Sequence, residues 1–289
     1  MSAMDKFCII TNIDKDKDLA VTNLIMNYLQ AKNKVCLAVR AMCIEEIDNT
    51  AFDGTHCLLV LGGDGTLIQA ARDFVGKNIP LIGINLGTLG FLTSVEKEDV
   101  TACLDALIAD DYAIENRMMI EGKVYHEGQI IKKSVALNDI IVTRSGFSRI
   151  VEVKLFINGK LVDIYNGDGI IISTPTGSTG YNLSAGGPVV FPETELILAT
   201  PICSHSLSAR SIVVSASDEI VIEMGFRKKT QKEEAIVTFD GQTSIELSPF
   251  DRVEIRKAAV SARTIKVSGR SFYEILRSKI GSFDNQKYK

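Results

Sequence analysis

Leu58-Leu59-Val60-Leu61-Gly62-Gly63-Asp64-Gly65-Thr66 is the stretch on which the fold turns. Four apolar residues run straight into a glycine turn, and a periodic segment, Leu67 to Val75, follows at once. That order reads as a buried strand, a tight turn and a helix start. The glycines let the backbone approach a ligand closely, because no Cβ stands in the way. The free N–H groups at a helix start suit phosphate. Gly62, Gly63, Gly65 and Thr66 therefore read as a phosphate loop. Asp64 is the unexpected member, since a carboxylate repels phosphate. Holding Mg²⁺ or taking a proton from an attacking hydroxyl are the two chemical reasons for it.

Strand and helix patterns alternate outward from this loop. Residues 6–11 and 35–39 read as strands on one side, and 81–84 as a strand on the other. Residues 17–31 read as an amphipathic helix with Leu19, Asn23, Met26 and Leu29 on its marked spacing, and 96–109 as a further helix. Such alternation predicts a parallel sheet with flanking helices. The texture changes near residue 112. Short β-branched runs then follow at 129–135, 139–143, 150–157, 160–165, 211–215, 219–224, 235–239, 252–256 and 263–267. Asn158-Gly159, between two of them, is a hairpin signal. This half predicts layered antiparallel sheets or a sandwich. Residues 271–280 read as a helix packing back on the first domain. The expected organisation is an α/β domain over 1–112, an all-β domain over 113–268, and a C-terminal helix and tail over 269–289.

Composition narrows the function classes. With 46% hydrophobic residues, the 289-residue chain has ample material for a core. Its net charge of −4 offers no basic field for nucleic acid or an anionic membrane. No signal peptide or membrane span is expected. The six cysteines form no C-x-x-C pair and sit mostly in apolar runs, which fits buried thiols and a cytoplasmic setting. A P-loop, a G-x-G-x-x-G fingerprint and a G-x-S-x-G elbow are all missing. The three histidines, His56, His126 and His205, read as structural.

Other stretches carry candidate chemistry. Residues 168–188, DGIIISTPTGSTGYNLSAGGP, are rich in hydroxyls and glycine. They suit a polyhydroxylated or phosphorylated ligand, or else form a surface turn. Asn138-Asp139 interrupts a strand-like run, either for a ligand or by facing core and solvent in turn. Asn85-Leu86-Gly87-Thr88-Leu89-Gly90-Phe91-Leu92 is loop-like yet apolar, and fits either a flat adenine site or packing at a domain junction. Phe239-Asp240-Gly241-Gln242 reads as an ordinary β-turn.

Together these pieces resemble the NAD kinase family. GGDGT, NLGTLGFL, ALNDIIV, the 168–188 run, PICSHSLSARSIV and FDGQ occur in that family's order. GGDGT alone is shared with lipid kinases and phosphofructokinase relatives; the 168–188 run with Asn138-Asp139 is specific. The resemblance implies phosphoryl transfer from ATP, or polyphosphate, to the 2′-hydroxyl of the adenosine ribose of NAD, with Mg²⁺ or another divalent cation. Asp64 would be the base, Gly65 would approach the ribose, and Phe91 would lie against adenine. Asn138, Asp139, Asp168, Thr179, Gly180, Tyr181, Asn182, Leu183 and Ser184 would form the dinucleotide site. Arg149, Asn166 and Gln242 fall at further NAD contacts. A homodimer or homotetramer, with no nucleic-acid or membrane partner, is implied as well. The chain departs from the pattern at Gly180 (usually Ala), Ser204 and Ser211 (usually Pro), and Asn166 (often basic). A lipid kinase would need a membrane-facing patch, and a non-catalytic NAD sensor would gain nothing from Asp64.

Overall fold

The computed structural model describes residues 4–41, 48–87, 90–145, 150–206, 209–225, 235–267 and 271–280. The chain divides into two compact units, residues 1–116 with 262–289, and residues 117–261.

The first unit starts with β1 (Lys6–Thr11), α1 (Ala20–Ala31) and β2 (Val35–Arg40), then β3 (Cys57–Gly62), α2 (Asp64–Asp73) and β4 (Leu81–Asn85). β5 (Val95–Glu96) and α3 (Val100–Ile108) follow. Strands β2, β1, β3 and β4 pair in that order, all parallel, and β5 pairs with β4. β1, β3 and β4 are apolar and buried almost throughout, as a parallel sheet covered on both faces requires. The core joins Phe7 and Ile9 of β1, Ile25 and Leu29 of α1, Leu59 and Leu61 of β3, and Leu104 and Leu107 of α3. Each such side chain stabilises the fold by roughly 1.5–3 kcal/mol on burial. α1 buries Val21, Thr22, Ile25 and Leu29, and Met26 packs partly buried on the same core, so Met26 and Leu29 of the spacing read from sequence face inward; Asn23 is exposed and Leu19 precedes the helix at φ 51°.

The second unit contains β6 (Ala113–His126) from Arg117 onward, β7 (Gln129–Ala136), β8 (Asp139–Arg144), β9 (Val151–Ile157), β10 (Lys160–Gly167) and β11 (Gly169–Ser173). Next come α4 (Tyr181–Ser184), β12 (Leu196–Ile202), β13 (Ile212–Ser215), β14 (Ile220–Met224), β15 (Ala235–Phe239), β16 (Thr243–Leu247) and β17 (Arg252–Lys266). One antiparallel sheet runs β13-β12-β11-β8-β15-β16; in the other, β10, β9, β14 and β17 pair antiparallel. Ile140, Val142, Ile170 and Ile172 of the first pack with Val153, Leu155, Ile220 and Ile222 of the second in one apolar layer. Asn158 and Gly159 both take positive φ, 50° and 74°, as a two-residue hairpin turn demands. The runs read as two strands at 252–256 and 263–267 are one strand, β17. Its last residues and α5 (Phe272–Ile280) belong to the first unit, where the Phe272 ring lies 6.3 Å from that of Phe91.

Candidate functional site

In the first unit the site is built where β3 and β4 end. α2 begins at Asp64, three residues earlier than the apolar spacing indicates, so Asp64, Gly65 and Thr66 form its first turn. Gly62 has no room for a side chain, because a Cβ there would lie 2.4 Å from Thr66 Oγ1. Gly65 is exposed, with nothing among the described residues within 4 Å of where its Cβ would be. Packing among the described residues therefore gives no reason for glycine at 65, whereas close approach of a ligand does.

Asp64 has a structural task that its sequence neighbours do not reveal. Its carboxylate accepts N–H bonds from Phe91 (2.7 Å), Leu92 (3.1 Å) and Thr93 (3.0 Å), and a fourth bond from the Thr93 hydroxyl (3.1 Å). The carboxylate thus holds the turn after β4 against the glycine loop. It also dictates Gly90, where a Cβ would overlap the Asp64 carboxylate. Phe91, expected against adenine, is half-buried, with the Lys279 ammonium 5.4 Å from its ring centroid. Lys15, which the sequence reading passed over, lies against the same loop. Its Nζ is 2.7 Å from where a Cβ on Gly63 would stand and 3.9 Å from one on Gly87.

In the second unit the strand registers gather three of the motifs. β8 pairs antiparallel with β11 and β15, setting Asp139 opposite Ser173 and Ile140 opposite Phe239. The start of β8 and the ends of β11 and β15 therefore share one end of the sheet. Thr174 N–H donates to Asn138 O (2.8 Å) and Thr174 Oγ1 to Leu137 O (2.6 Å), which seats the hydroxyl-rich loop on the Asn138 turn. The FDGQ turn does more than reverse the chain. Asp240 accepts the N–H groups of Leu137 (2.9 Å), Asn138 (2.7 Å) and Asp139 (3.1 Å). Only the match to the family's motif marked this residue; its three partners lie about a hundred positions upstream.

The polar groups at that end are not internally satisfied. Asn138 Oδ1 and Thr176 Oγ1 are buried with no hydrogen-bond partner among the described residues. The Asp139 side chain is 5% exposed and accepts no hydrogen bond among the described residues. Burial pushes its carboxyl up to about 7, with the nearby Asp240 charge adding to the effect. Unpaired buried polar groups are rare and costly, and a site reserved for a polar ligand is a physical reason for keeping them. Gly180 borders the same cluster: a Cβ there would stand 3.4 Å from Asn138 Nδ2 and 4.0 Å from Asp139 Oδ2.

Other expected residues are placed differently. Thr179 donates to Thr176 O (3.3 Å), and Tyr181 is 45% exposed. Asn182 is wholly buried, donating to Ser178 O and Pro188 O while accepting from the Thr200 hydroxyl, so its side chain holds the loop together. Leu183 is partly buried, and Ser184 and Gln242 are exposed. Asp168 precedes β11 and pairs with Arg144 Nε at 2.6 Å. It stands at the opposite end of β11 from Ser173, about 17 Å away at the rise of a strand. Asn166, whose carbonyl accepts His205 N–H, lies on that side too. The sheet therefore separates Asn166 and Asp168 from the Asn138–Asp139 cluster within one chain. Arg149 lies outside the described residues. Among those described, no three His, Cys, Asp or Glu side chains converge as a metal site.

Residues 11–112 match the ATP-NAD kinase N-terminal domain, and residues 137–267 match the ATP-NAD kinase C-terminal domain. An NAD kinase of Lachnoclostridium phytofermentans is 49% identical over 284 residues, covering 96% of this chain and 99% of the relative. One from Agathobacter rectalis is 43% identical, covering 97% and 100%. Among solved structures, yeast NADH kinase complexed with NADH superposes with a TM-score of 0.82 at 21% identity, covering 100% of this chain and 90% of that one. An Archaeoglobus fulgidus NAD kinase in complex with ATP gives 0.75 at 24% identity, covering 95% and 98%; at these identities the likeness establishes the fold. With both family domains matched in order, and with relatives this similar along nearly their whole length, the chain belongs to the NAD kinase family.

Proposed function

We propose that this chain transfers a phosphoryl group from ATP to the 2′-hydroxyl of the adenosine ribose of NAD, with Asp64 as the base. NAD kinase activity goes with the family, and the relatives that carry the name match along nearly their whole length. The observation that carries the substrate assignment is the buried, unpartnered set at the start of β8. Among the described residues, Asn138 Oδ1 and the Asp139 carboxylate are acceptors waiting for donors, and Thr176 Oγ1 is a hydroxyl without a partner. A dinucleotide offers ribose hydroxyls and an adenine amine that match them. Thr179, Gly180, Tyr181, Asn182, Leu183 and Ser184 lie along the same loop and extend the contact; Phe91 stacks on adenine. Arg149, Asn166, Asp168 and Gln242 are proposed as further NAD contacts.

Phosphoryl transfer of this kind is mostly positioning and charge stabilisation. The loop from Gly62 to Thr66 holds the donor phosphates, with Gly65 giving the closest approach. For Asp64 to take the 2′-OH proton, one of its four bonds must give way to the substrate hydroxyl. The Thr93 hydroxyl is the donor that leaves with least disturbance, because it only rotates. Mg²⁺ typically takes one or two carboxylates plus substrate phosphates. A loop with the single carboxylate Asp64 fits a cation that arrives on the ATP phosphates, where it offsets their charge.

We also propose a cytoplasmic homodimer or homotetramer assembled through the β-rich unit. Leu161, Val162 and Ile164 leave β10 53%, 41% and 42% exposed, an apolar edge that a second copy would cover. Among the described residues no helix is long and apolar enough to cross a membrane. A coupled assay of NADP formation from ATP, Mg²⁺ and NAD tests the activity. NADP accumulation is expected; tight NAD binding with no NADP would instead make the chain a sensor. Replacing ATP by polyphosphate, or NAD by NADH, tests the donor and the acceptor.

A further inference from the structure

We propose that Lys15 is the donor-phosphate cation of this site, supplying from the β1–α1 loop the charge that a P-loop carries in its own lysine. The inference rests on the reading of Gly62–Thr66 as the phosphate loop. That loop has no G-K-[ST] lysine, and it contains a carboxylate that repels phosphate. The ammonium of Lys15 fills the gap in position. It lies where Cβ atoms on Gly63 and Gly87 would approach it to 2.7 Å and 3.9 Å, over the ends of β3 and β4.

Two features make this more than a passing surface lysine. The backbone that carries it is fixed on both sides. Asn12 O accepts the N–H groups of Lys15 (3.1 Å) and Asp16 (3.0 Å), Asn12 Oδ1 accepts that of Asp14 (3.0 Å), and Asn12 Nδ2 donates to Thr66 Oγ1 (3.3 Å). Beyond it, the buried Asp16 carboxylate accepts the N–H groups of Val21 (3.1 Å) and Thr22 (2.9 Å) and the Thr22 hydroxyl (2.7 Å). The charge, moreover, is uncommitted. Asp14, Asp16 and Asp18 surround Lys15 in sequence, yet its ammonium pairs with no carboxylate among the described residues. Asp16 is taken up by α1, and Asp64 by the 91–93 turn. A cation held over a glycine loop and paired with no carboxylate among the described residues suits a polyanion, which an ammonium binds as a point charge.

The test compares Lys15→Gln and Lys15→Arg with the parent chain in NADP formation, together with calorimetric binding of inorganic triphosphate. Lys15→Gln is expected to raise KM for MgATP about tenfold and to weaken triphosphate binding about as much, with KM for NAD and Tm unchanged. Lys15→Arg should recover most of both, and added salt should narrow the gap. Unchanged KM for MgATP and triphosphate affinity in Lys15→Gln, while the parent chain makes NADP, overturns this inference and leaves the site reading intact. So does an equal rise in both KM values with a lower Tm. A parent chain that makes no NADP overturns the site reading and this inference with it.

Discussion

Asp64 and Asp139 are both carboxylates in motifs of this family, and their surroundings are opposite. Asp64 is half-buried and accepts four hydrogen bonds from one turn. Asp139 is buried and accepts none among the described residues. The first arrangement builds: the carboxylate ties two loops of the parallel-sheet unit into one surface. The second stores: desolvating a carboxyl without a donor raises the free energy of the empty protein, and a ligand that donates recovers it. The glycine loop is therefore pre-organised by its own bonds, while the Asp139 cluster is left short of donors among the described residues.

The sharpest way to break this contrast is at Asp64. Asp64→Asn should lower kcat by about 10²–10⁴ if the group is the base, with NAD affinity by calorimetry retained. The amide also weakens the hold on residues 91–93, so Thr93→Val is the necessary companion. It removes one of the four bonds and should cost only a few-fold in kcat. Equal losses in the two variants would make Asp64 a structural clamp and nothing more.

The next effect is a dependence of stability on pH that originates at Asp139. With its carboxyl pushed to about 7 by burial and the Asp240 charge, the folded chain keeps a proton that the unfolded chain sheds near the ordinary 3.8. Below that ordinary value there is no penalty. Between about pH 4 and pH 7 stability falls as pH rises, and above that the loss is complete. At about 1.4 kcal/mol for each tenfold in proton affinity, the loss is on the order of 4 kcal/mol. Urea midpoints across that range should fall in the parent chain and flatten in Asp139→Asn. An equally steep fall in the variant would place the titrating group elsewhere.

Asp240→Ala carries a smaller effect. It leaves the N–H groups of residues 137–139 without their acceptor and should destabilise the chain by about 2–3 kcal/mol in urea unfolding. NAD affinity should drop with it, because Asn138 and Asp139 lose their anchor. Smallest is Gly180→Ala, which restores the residue usual in the family. Its Cβ would meet Gly177 O at 3.2 Å, so a neighbour must move by a few tenths of an ångström. Tm and KM for NAD should stay near the parent values, and a loss above about 1 kcal/mol would show that the loop cannot adjust.

Much of this was legible in the chain, and what was hidden has a common cause. Strand and helix alternation, the Asn158-Gly159 turn and the glycine loop are local patterns, and local sequence states them. The start of α2 was misplaced because Asp64, Gly65 and Thr66 carry no apolar periodicity. β17 read as two strands because its middle, Arg256 to Ser261, is mostly exposed and breaks the alternation. The tasks of Asp64 and Asp240 stayed hidden because their partners are 27–29 and about a hundred residues away. The bond that seats the Asn182 side chain stayed hidden for the same reason, since its partner Thr200 belongs to a later strand.

Cysteine placement gives the first unit a built-in reporter. Cys8, Cys57 and Cys103 are buried in it, and burial raises all three thiols, Cys8 and Cys103 to about 12. A thiol held protonated and out of solvent is silent toward alkylating reagents. Cys203 of the second unit is exposed. Slow labelling at the three buried positions therefore times the opening of the parallel-sheet unit alone, with Cys203 as the immediate reference.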